Sequence, residues 1–231
     1  MSGTVAPLSS LLSSLAALPP TTPHGLIVDE AHSTGVFPAE TGLGLLHHHS
    51  LATHPSLLAH VHTFGKAYNS HGAVVLSPPA TSQTLLPYLI NYARPLIYST
   101  SLPPSHTEHL LTLHQHITSP ECTPRRRKLF ENIRHFTTSF NLHLANSPLT
   151  LLDSAAEGPI QSILVPGGAG PTIALSTQLA QHDLKLYPIR YPTVAAGDER
   201  LRVIIHAGNT TEEIDLLISS LVAEASLVYK P

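Results

Sequence analysis

Gly25-Leu26-Ile27-Val28-Asp29-Glu30 is a short apolar run that ends abruptly in two carboxylates. A continuous apolar run of this length reads as a strand covered on both faces, as in a parallel sheet. Upstream, Leu8, Leu11, Leu12, Leu15 and Leu18 recur at helical spacing until Pro19-Pro20 stop the helix. Downstream, Val61-His62-Thr63-Phe64 and Ala73-Val74-Val75-Leu76 are two further candidate strands. Helix alternating with strand predicts an α/β layer fold.

From Pro103 onward the texture changes. Leu110, Leu113 and Ile117 mark one helix; Leu129, Ile133, Phe136 and Phe140 mark another. Arg125, Arg126 and Arg127 open that second helix and read as a solvated turn. Short strands are expected at residues 160–165, 184–189 and 201–206. A last helix carries Ile214, Leu217, Ile218, Leu221, Val222 and Ala225 on one face. Thr210 and Glu213 have the spacing of a capping box at its start. A boundary near residue 105 divides a sheet-based domain (1–105) from linking helices and a smaller α+β domain (106–231).

The composition narrows the function classes. Only 12% of the 231 residues are charged, against a usual share of about 25%. With 12 basic and 15 acidic residues the net charge is −3, which lacks the basic stripe of a nucleic-acid binder. A mean hydropathy of +0.11 excludes a disordered chain. One cysteine, Cys122, excludes a disulfide scaffold and a thiolate zinc site. No apolar run reaches the roughly 20 residues of a membrane helix. Met1 to Pro7 carries no basic residue and Val228-Tyr229-Lys230-Pro231 is not a Ser-Lys-Leu peroxisomal signal, so cytoplasm is the expected compartment.

The charge map singles out two residues. No formal charge precedes Asp29, and between Thr41 and Ala93 the only one is Lys66. A lysine in so apolar a stretch is expected to be partly desolvated, which would free its amine as a nucleophile. The plain alternative is a lysine snorkelling from a low-charge surface. Asp29 ends a strand, where α/β sheets place ligand-binding groups; it reads equally as a cap on the turn that follows. His32, three residues on, either faces the same site or packs locally. His47, His48 and His49, with His54, His60 and His62, could gather a metal. Adjacent side chains diverge on a strand and fan out on a helix, however, and no His-Glu-x-x-His pair is present. No metal is expected, and the triple histidine reads as a solvated loop.

Taken together, four ordered motifs carry a family resemblance. They are Asp29-Glu30-Ala31-His32-Ser33-Thr34-Gly35; Thr63-Phe64-Gly65-Lys66; Arg94-Pro95-Leu96-Ile97-Tyr98-Ser99-Thr100-Ser101-Leu102-Pro103-Pro104; and Tyr191-Pro192-Thr193-Val194 leading to Arg200-Leu201-Arg202. The chain resembles the α-oxoamine synthases, pyridoxal-phosphate enzymes of fold type I within the class-II aminotransferase family. It is most similar to the biotin-pathway branch, and the stretch from Arg202 to Thr210 looks like fungal members. The resemblance implies the later part of a large, mainly parallel-sheet domain followed by a small α+β domain. Absent from the chain are the family's glycine-rich phosphate turn, its ring-stacking aromatic and a substrate-binding Asn. Pro38 stands where the family usually has Gly, Ala195 where it usually has Pro, and residues 45–60 look longer than usual.

The resemblance also implies roles. Lys66 would hold pyridoxal 5'-phosphate covalently and then take the substrate's α-proton. Asp29 would keep the ring nitrogen protonated, and His32 would bond the ring's phenolic oxygen. Thr63 would bind the phosphate, with Thr100 doing so from the neighbouring subunit of a homodimer. Arg202 would clamp the amino-acid carboxylate, and Thr193 would also touch substrate. The implied reaction condenses L-alanine with pimeloyl-CoA, with loss of CoA and CO2, to an α-amino ketone for biotin synthesis. The alternatives are another acyltransferase of the family (aminolevulinate synthase, glycine acetyltransferase or serine palmitoyltransferase) or a non-catalytic remnant or partner subunit.

Overall fold

The computed structural model describes residues 2–19, 21–153 and 157–228, with side chains through residue 225; Met1, Pro20, Tyr229, Lys230 and Pro231, which enter the sequence reading, lie outside them. Two compact units are formed, Ala6–Arg126 and Met1–Val5 with Arg127–Pro231. The density of contacts thus divides the chain within a helix, later than the change of texture near residue 105.

In the unit Ala6–Arg126 the order is α1 (Leu8–Ala16), β1 (Leu26–Asp29), α2 (Leu45–His48), β2 (Leu57–Thr63), β3 (Ala73–Leu76), α3 (Pro79–Tyr92), α4 (Arg94–Ile97) and α5 (Pro104–Thr118). A short 3-10 turn, Pro120–Cys122, follows. The sheet order is β1-β2-β3. β1 and β2 are parallel, with Asp29 opposite Val61. β2 and β3 are antiparallel, with Thr63 opposite Ala73. The link between them, residues 64–72, is too short for the crossover that a parallel return needs. Leu8, Val28, Leu46 and Leu57 form the core on one face of the sheet. The helical stripe of α1 is narrower than its leucines suggest: Leu8 and Leu12 are buried, while Leu11 and Leu18 are exposed.

A buried carboxylate closes the 15-residue excursion from β1 to α2. Glu30 is 1% exposed. It accepts the Leu45 and Leu46 backbone N–H groups, each at 2.9 Å, and the Ser33 hydroxyl. Gly44 sits at φ +108°, and a Cβ there would stand 3.0 Å from the Glu30 carboxylate. The carboxylate therefore caps α2 in contact with bare backbone.

The arginine triplet departs from the reading of a solvated turn. Arg125 and Arg127 are exposed, but Arg126 is buried. Its Nε donates to the Ala39 carbonyl at 2.6 Å and its Nη2 to the Glu40 carbonyl at 2.8 Å. It also donates to the Ile117 and Ser119 carbonyls. The fork of donors collects carbonyls from the 36–44 loop and the end of α5; the Glu40 carbonyl also accepts the Thr123 hydroxyl, and the Ser119 carbonyl the Cys122 N–H. By contrast, α3 and α4 bury no side chain, and Tyr88, Tyr92, Leu96 and Tyr98 stand well exposed.

The second unit contains most of α6 (Thr123–His143), then β4 (Thr150–Leu151), β5 (Ile160–Leu164), α7 (Ala169–Ala180), β6 (Tyr187–Ile189), β7 (Arg200–Ile204) and α8 (Thr211–Val228). Its sheet is antiparallel throughout, in the order β4-β5-β7-β6. Leu129, Ile133, Phe136 and Phe140 of α6 are all buried, as their spacing predicts. Of the α8 stripe, Ile214, Leu217, Ile218, Leu221 and Ala225 are buried and Val222 is exposed. The capping box is complete: Glu213 N–H donates to Thr210 Oγ1 at 3.2 Å, and Thr210 N–H donates to Glu213 Oε2 at 3.1 Å. Asn132, buried on α6, donates to the His206 and Asn209 carbonyls at 2.9 and 2.8 Å, fixing the turn into α8. No helix among the described residues is long and apolar enough to cross a membrane.

Two substitutions separate a surface cap from a buried hub. Thr210→Ala should cost about 1 kcal/mol, the usual worth of an N-cap. Arg126→Met should cost roughly 3 kcal/mol, because the Ala39 and Ile117 carbonyls lose this donor while those of Glu40 and Ser119 lose one of two. Urea denaturation of both variants checks the order; equal losses would remove Arg126 from its proposed rank.

Candidate active site

The C-terminal ends of β1 and β2 lie side by side because the strands are parallel, and this edge gathers the sequence-predicted residues. Asp29 is the last residue of β1 and pairs with Val61, and Thr63 lies two residues further along β2. Period-two alternation sends Asp29, Val61 and Thr63 to one face of the sheet. Val28, His60 and His62 face the other way.

Asp29 is exposed, and its Oδ1 accepts the Ala31 N–H at 2.8 Å. The turn-capping role expected of it is therefore met with one oxygen, which leaves Oδ2 for a second donor. The Thr63 hydroxyl oxygen is buried and has no hydrogen-bond partner. A buried hydroxyl without a partner costs free energy unless something else bonds it. An anion such as phosphate fits that description.

Lys66 follows on a tightly tied turn. Phe64 N–H donates to the Gly72 carbonyl at 2.9 Å, Ser70 N–H to the Phe64 carbonyl at 2.7 Å, and Asn69 N–H to the Lys66 carbonyl at 2.9 Å. Tyr68 anchors the turn from below: it is buried, its ring lies 5.3 Å from that of Phe64, and its hydroxyl meets His114 Nδ1 at 2.9 Å. Burial pushes the Tyr68 phenol up to about 12, partly opposed by the charge of Arg126, so it stays protonated near neutral pH. The backbone around Lys66 is thus held, but the side chain is exposed. The expected desolvation of its amine is not met in this chain, because the turn stands beyond the strand ends where no element described here covers it.

His32 is exposed on the turn after β1, and Thr100 is exposed in the segment between α4 and α5. In the second unit, Arg202 is half-buried on β7, in register with Ser162 of β5 and Tyr187 of β6. Arg202 is therefore a central-strand residue, unlike a freely exposed edge charge. Thr193 is exposed in the turn after β6, its N–H donating to the Arg190 carbonyl at 2.9 Å.

Two contributors escape the sequence reading. Glu30 stands beside Asp29 in the motif, yet its partners lie 15 and 16 residues away, beyond any local pattern. Tyr68 two residues after Lys66 carries no signal of burial in its surroundings. On the described residues, a phosphorylated aromatic aldehyde fits the edge: an amine on a braced turn, a carboxylate oxygen open to a ring nitrogen, and an unpaired buried hydroxyl for the phosphate.

Comparison with known proteins supplies the lineage. Residues 1–221 match the family model for aminotransferase class I and II. The chain is 35% identical over 222 residues to the 8-amino-7-oxononanoate synthase of Emericella nidulans, covering 96% of the chain and 51% of that protein. It is 33% identical over 232 residues to the enzyme of that name from Cupriavidus metallidurans, covering 53% of it. The chain thus spans about half the length of the curated relatives it matches. Among solved structures, 8-amino-7-oxononanoate synthase from Francisella tularensis superposes with a TM-score of 0.81 at 29% identity, over 100% of this chain and 61% of that one. Serine palmitoyltransferase from Sphingomonas wittichii shares the fold, with a TM-score of 0.79 at 22% identity, over 99% of this chain and 53% of its own. The chain belongs to the aminotransferase class I and II family, whose members in this branch are pyridoxal-phosphate-dependent acyltransferases.

Proposed function

We propose that this chain contributes the lysine-bearing half of a site that condenses L-alanine with pimeloyl-CoA, in the manner of 8-amino-7-oxononanoate synthase. The observation that carries the reading is the shared edge of β1 and β2: the open Asp29 oxygen, the unpaired buried Thr63 hydroxyl and the braced Lys66 turn fall together. The names of the relatives at 33–35% identity support the substrate pair.

Each residue has a task there. Thr63 donates its hydroxyl hydrogen to a phosphate oxygen, satisfying the group that is otherwise unpaired. Lys66 Nζ would hold the cofactor and would then take the proton from the amino acid's Cα. When bound, pyridoxal phosphate supplies an electron sink for the pair left at that carbon. Asp29 Oδ2 holds the proton on the ring nitrogen, which keeps the sink effective. His32 donates to the phenolic oxygen. Arg202 orients the amino-acid carboxylate with its planar fork, and Thr193 lies near substrate. The bond that forms joins Cα to the thioester carbonyl carbon. CoA departs as the thiol, the carboxylate leaves as CO2, and a proton returns to Cα.

A homodimer completes this reading, with Thr100 reaching the phosphate of the neighbouring subunit. The exposed tyrosines and leucines of α3, α4 and the segment after them give a second subunit apolar surface to cover. Cytoplasm is the proposed compartment.

Three experiments test these roles. Borohydride reduction of the cofactor-loaded protein, followed by peptide mapping, should place the pyridoxyl group on Lys66; a label on Lys128, Lys185 or Lys230 would reject the assignment. Thr63→Val should weaken cofactor binding about tenfold, the worth of one hydrogen bond to a charged group. Asp29→Asn should retain cofactor yet lose turnover by roughly 100-fold or more, as loss of a group acting on developing charge does. Near-native turnover in Asp29→Asn would leave that residue as a turn cap alone.

A further inference from the structure

On the opposite face of β2 the structure brings together three metal-ligating side chains that the cofactor site does not use. Of the six histidines that the sequence groups, His47, His48 and His49 are exposed on and after α2, where the His48 and His49 rings lie edge to face with centroids 4.8 Å apart. His60 and His62 converge, His60 Nδ1 standing 2.9 Å from His62 Nε2. One ligand atom from each, and one from the Glu30 carboxylate, all lie within 4.8 Å of one another.

A count of hydrogens sets the state of this pair. The Thr34 hydroxyl is 2.7 Å from the Glu30 carbonyl oxygen and 2.7 Å from His62 Nδ1. The carbonyl can only accept, so the single hydroxyl hydrogen goes to it, and His62 Nδ1–H donates to Thr34. His62 Nε2 then presents a lone pair toward His60. An imidazole whose far nitrogen is tied to an oriented partner is the usual form of a metal ligand.

At the tetrahedral angle usual for zinc, two nitrogens about 2.05 Å from an ion stand roughly 3.3 Å apart, so the imidazoles, 2.9 Å apart when hydrogen-bonded, would separate by about 0.4 Å to admit one. Among the described residues the buried Glu30 carboxylate meets amide and hydroxyl donors and no lysine or arginine. Those donors would orient it as a ligand's outer partners do. His60 is half-buried, which leaves a path for an ion and for completing waters.

We propose that Glu30, His60 and His62 form a binding site for a divalent transition-metal ion of the zinc and cobalt class, in which the ion replaces the hydrogen shared by the two imidazoles. The site is separate from the cofactor edge and does not rest on the reaction proposed above. Its position between β1, β2 and the cap of α2 would tie those elements together.

The test uses the full chain carrying His47→Gln, His48→Gln and His49→Gln, which removes the exposed triplet as a rival. Titration with Co2+ followed by its visible absorption, and with Zn2+ against a chelating dye, should give one ion per chain. The ion should also raise the melting temperature, since binding only the folded state stabilises it. His60→Ala, at a half-buried position, should weaken binding at least about 100-fold, as loss of a ligand exceeds the 10–100-fold loss of an outer partner. Glu30→Gln, which keeps one of the two oxygens that accept the α2 amides, should weaken metal binding, the loss being read only on protein whose circular-dichroism spectrum remains folded. Binding that disappears with the triplet, survives His60→Ala, or is absent at millimolar metal would overturn the proposal.

Discussion

The buried Glu30 carboxylate is the constraint around which the first unit is arranged. A carboxylate 1% exposed would carry a heavy desolvation cost without donors, and here it receives two backbone amides and a hydroxyl. Those bonds draw residues 45 and 46 back against the end of β1. Leu46 then joins Val28, Leu8 and Leu57 in the core. The same closure sets the turn on which Asp29 caps Ala31 and His32 is presented. Thus the residue next to the proposed ring-nitrogen partner does structural work that holds that partner's turn in place.

The sheet edge shows how a parallel pair creates a site. Parallel strands bring two C-terminal ends to one side, where neither strand's last polar side chain finds a partner within the ladder. Asp29 and Thr63 are those side chains. The antiparallel return to β3 is equally consequential, because the tight link between β2 and β3 carries Lys66. Its backbone bonds and the buried Tyr68 brace the position of the lysine while leaving its amine exposed.

The two faces of β2 are chemically distinct. One carries an unpaired hydroxyl at the cofactor edge. The other carries an imidazole pair wired through Thr34 to the backbone of Glu30. Period-two alternation alone separates them, so adjacent residues such as His62 and Thr63 belong to different environments.

Much of this was legible in sequence because it depends on local periodicity. The apolar run before Asp29, the stripes of α6 and α8, and the Thr210–Glu213 box are short-range patterns. The box and the α6 stripe form as their spacing predicts, and the α8 stripe does so except at Val222. The run before Asp29, by contrast, forms a strand of which only Val28 is buried and Ile27 is 64% exposed, because β1 lies at the edge of its sheet and is not covered on both faces. The motif around Lys66 likewise marked its place beyond a strand. Tertiary structure decided what local pattern cannot encode. Arg126 is buried because four carbonyls from distant segments need its donors, while its neighbours Arg125 and Arg127 remain in solvent. Lys66 is exposed because burial depends on what covers a turn, and an apolar neighbourhood in sequence does not supply that cover. His60 and His62 meet beside a buried carboxylate because they share a strand face turned toward Glu30 and Thr34, whereas His48 and His49 meet on an exposed turn. Periodicity is a property of consecutive residues and is written in their order; partnership across the fold arises only when strands pair and loops close.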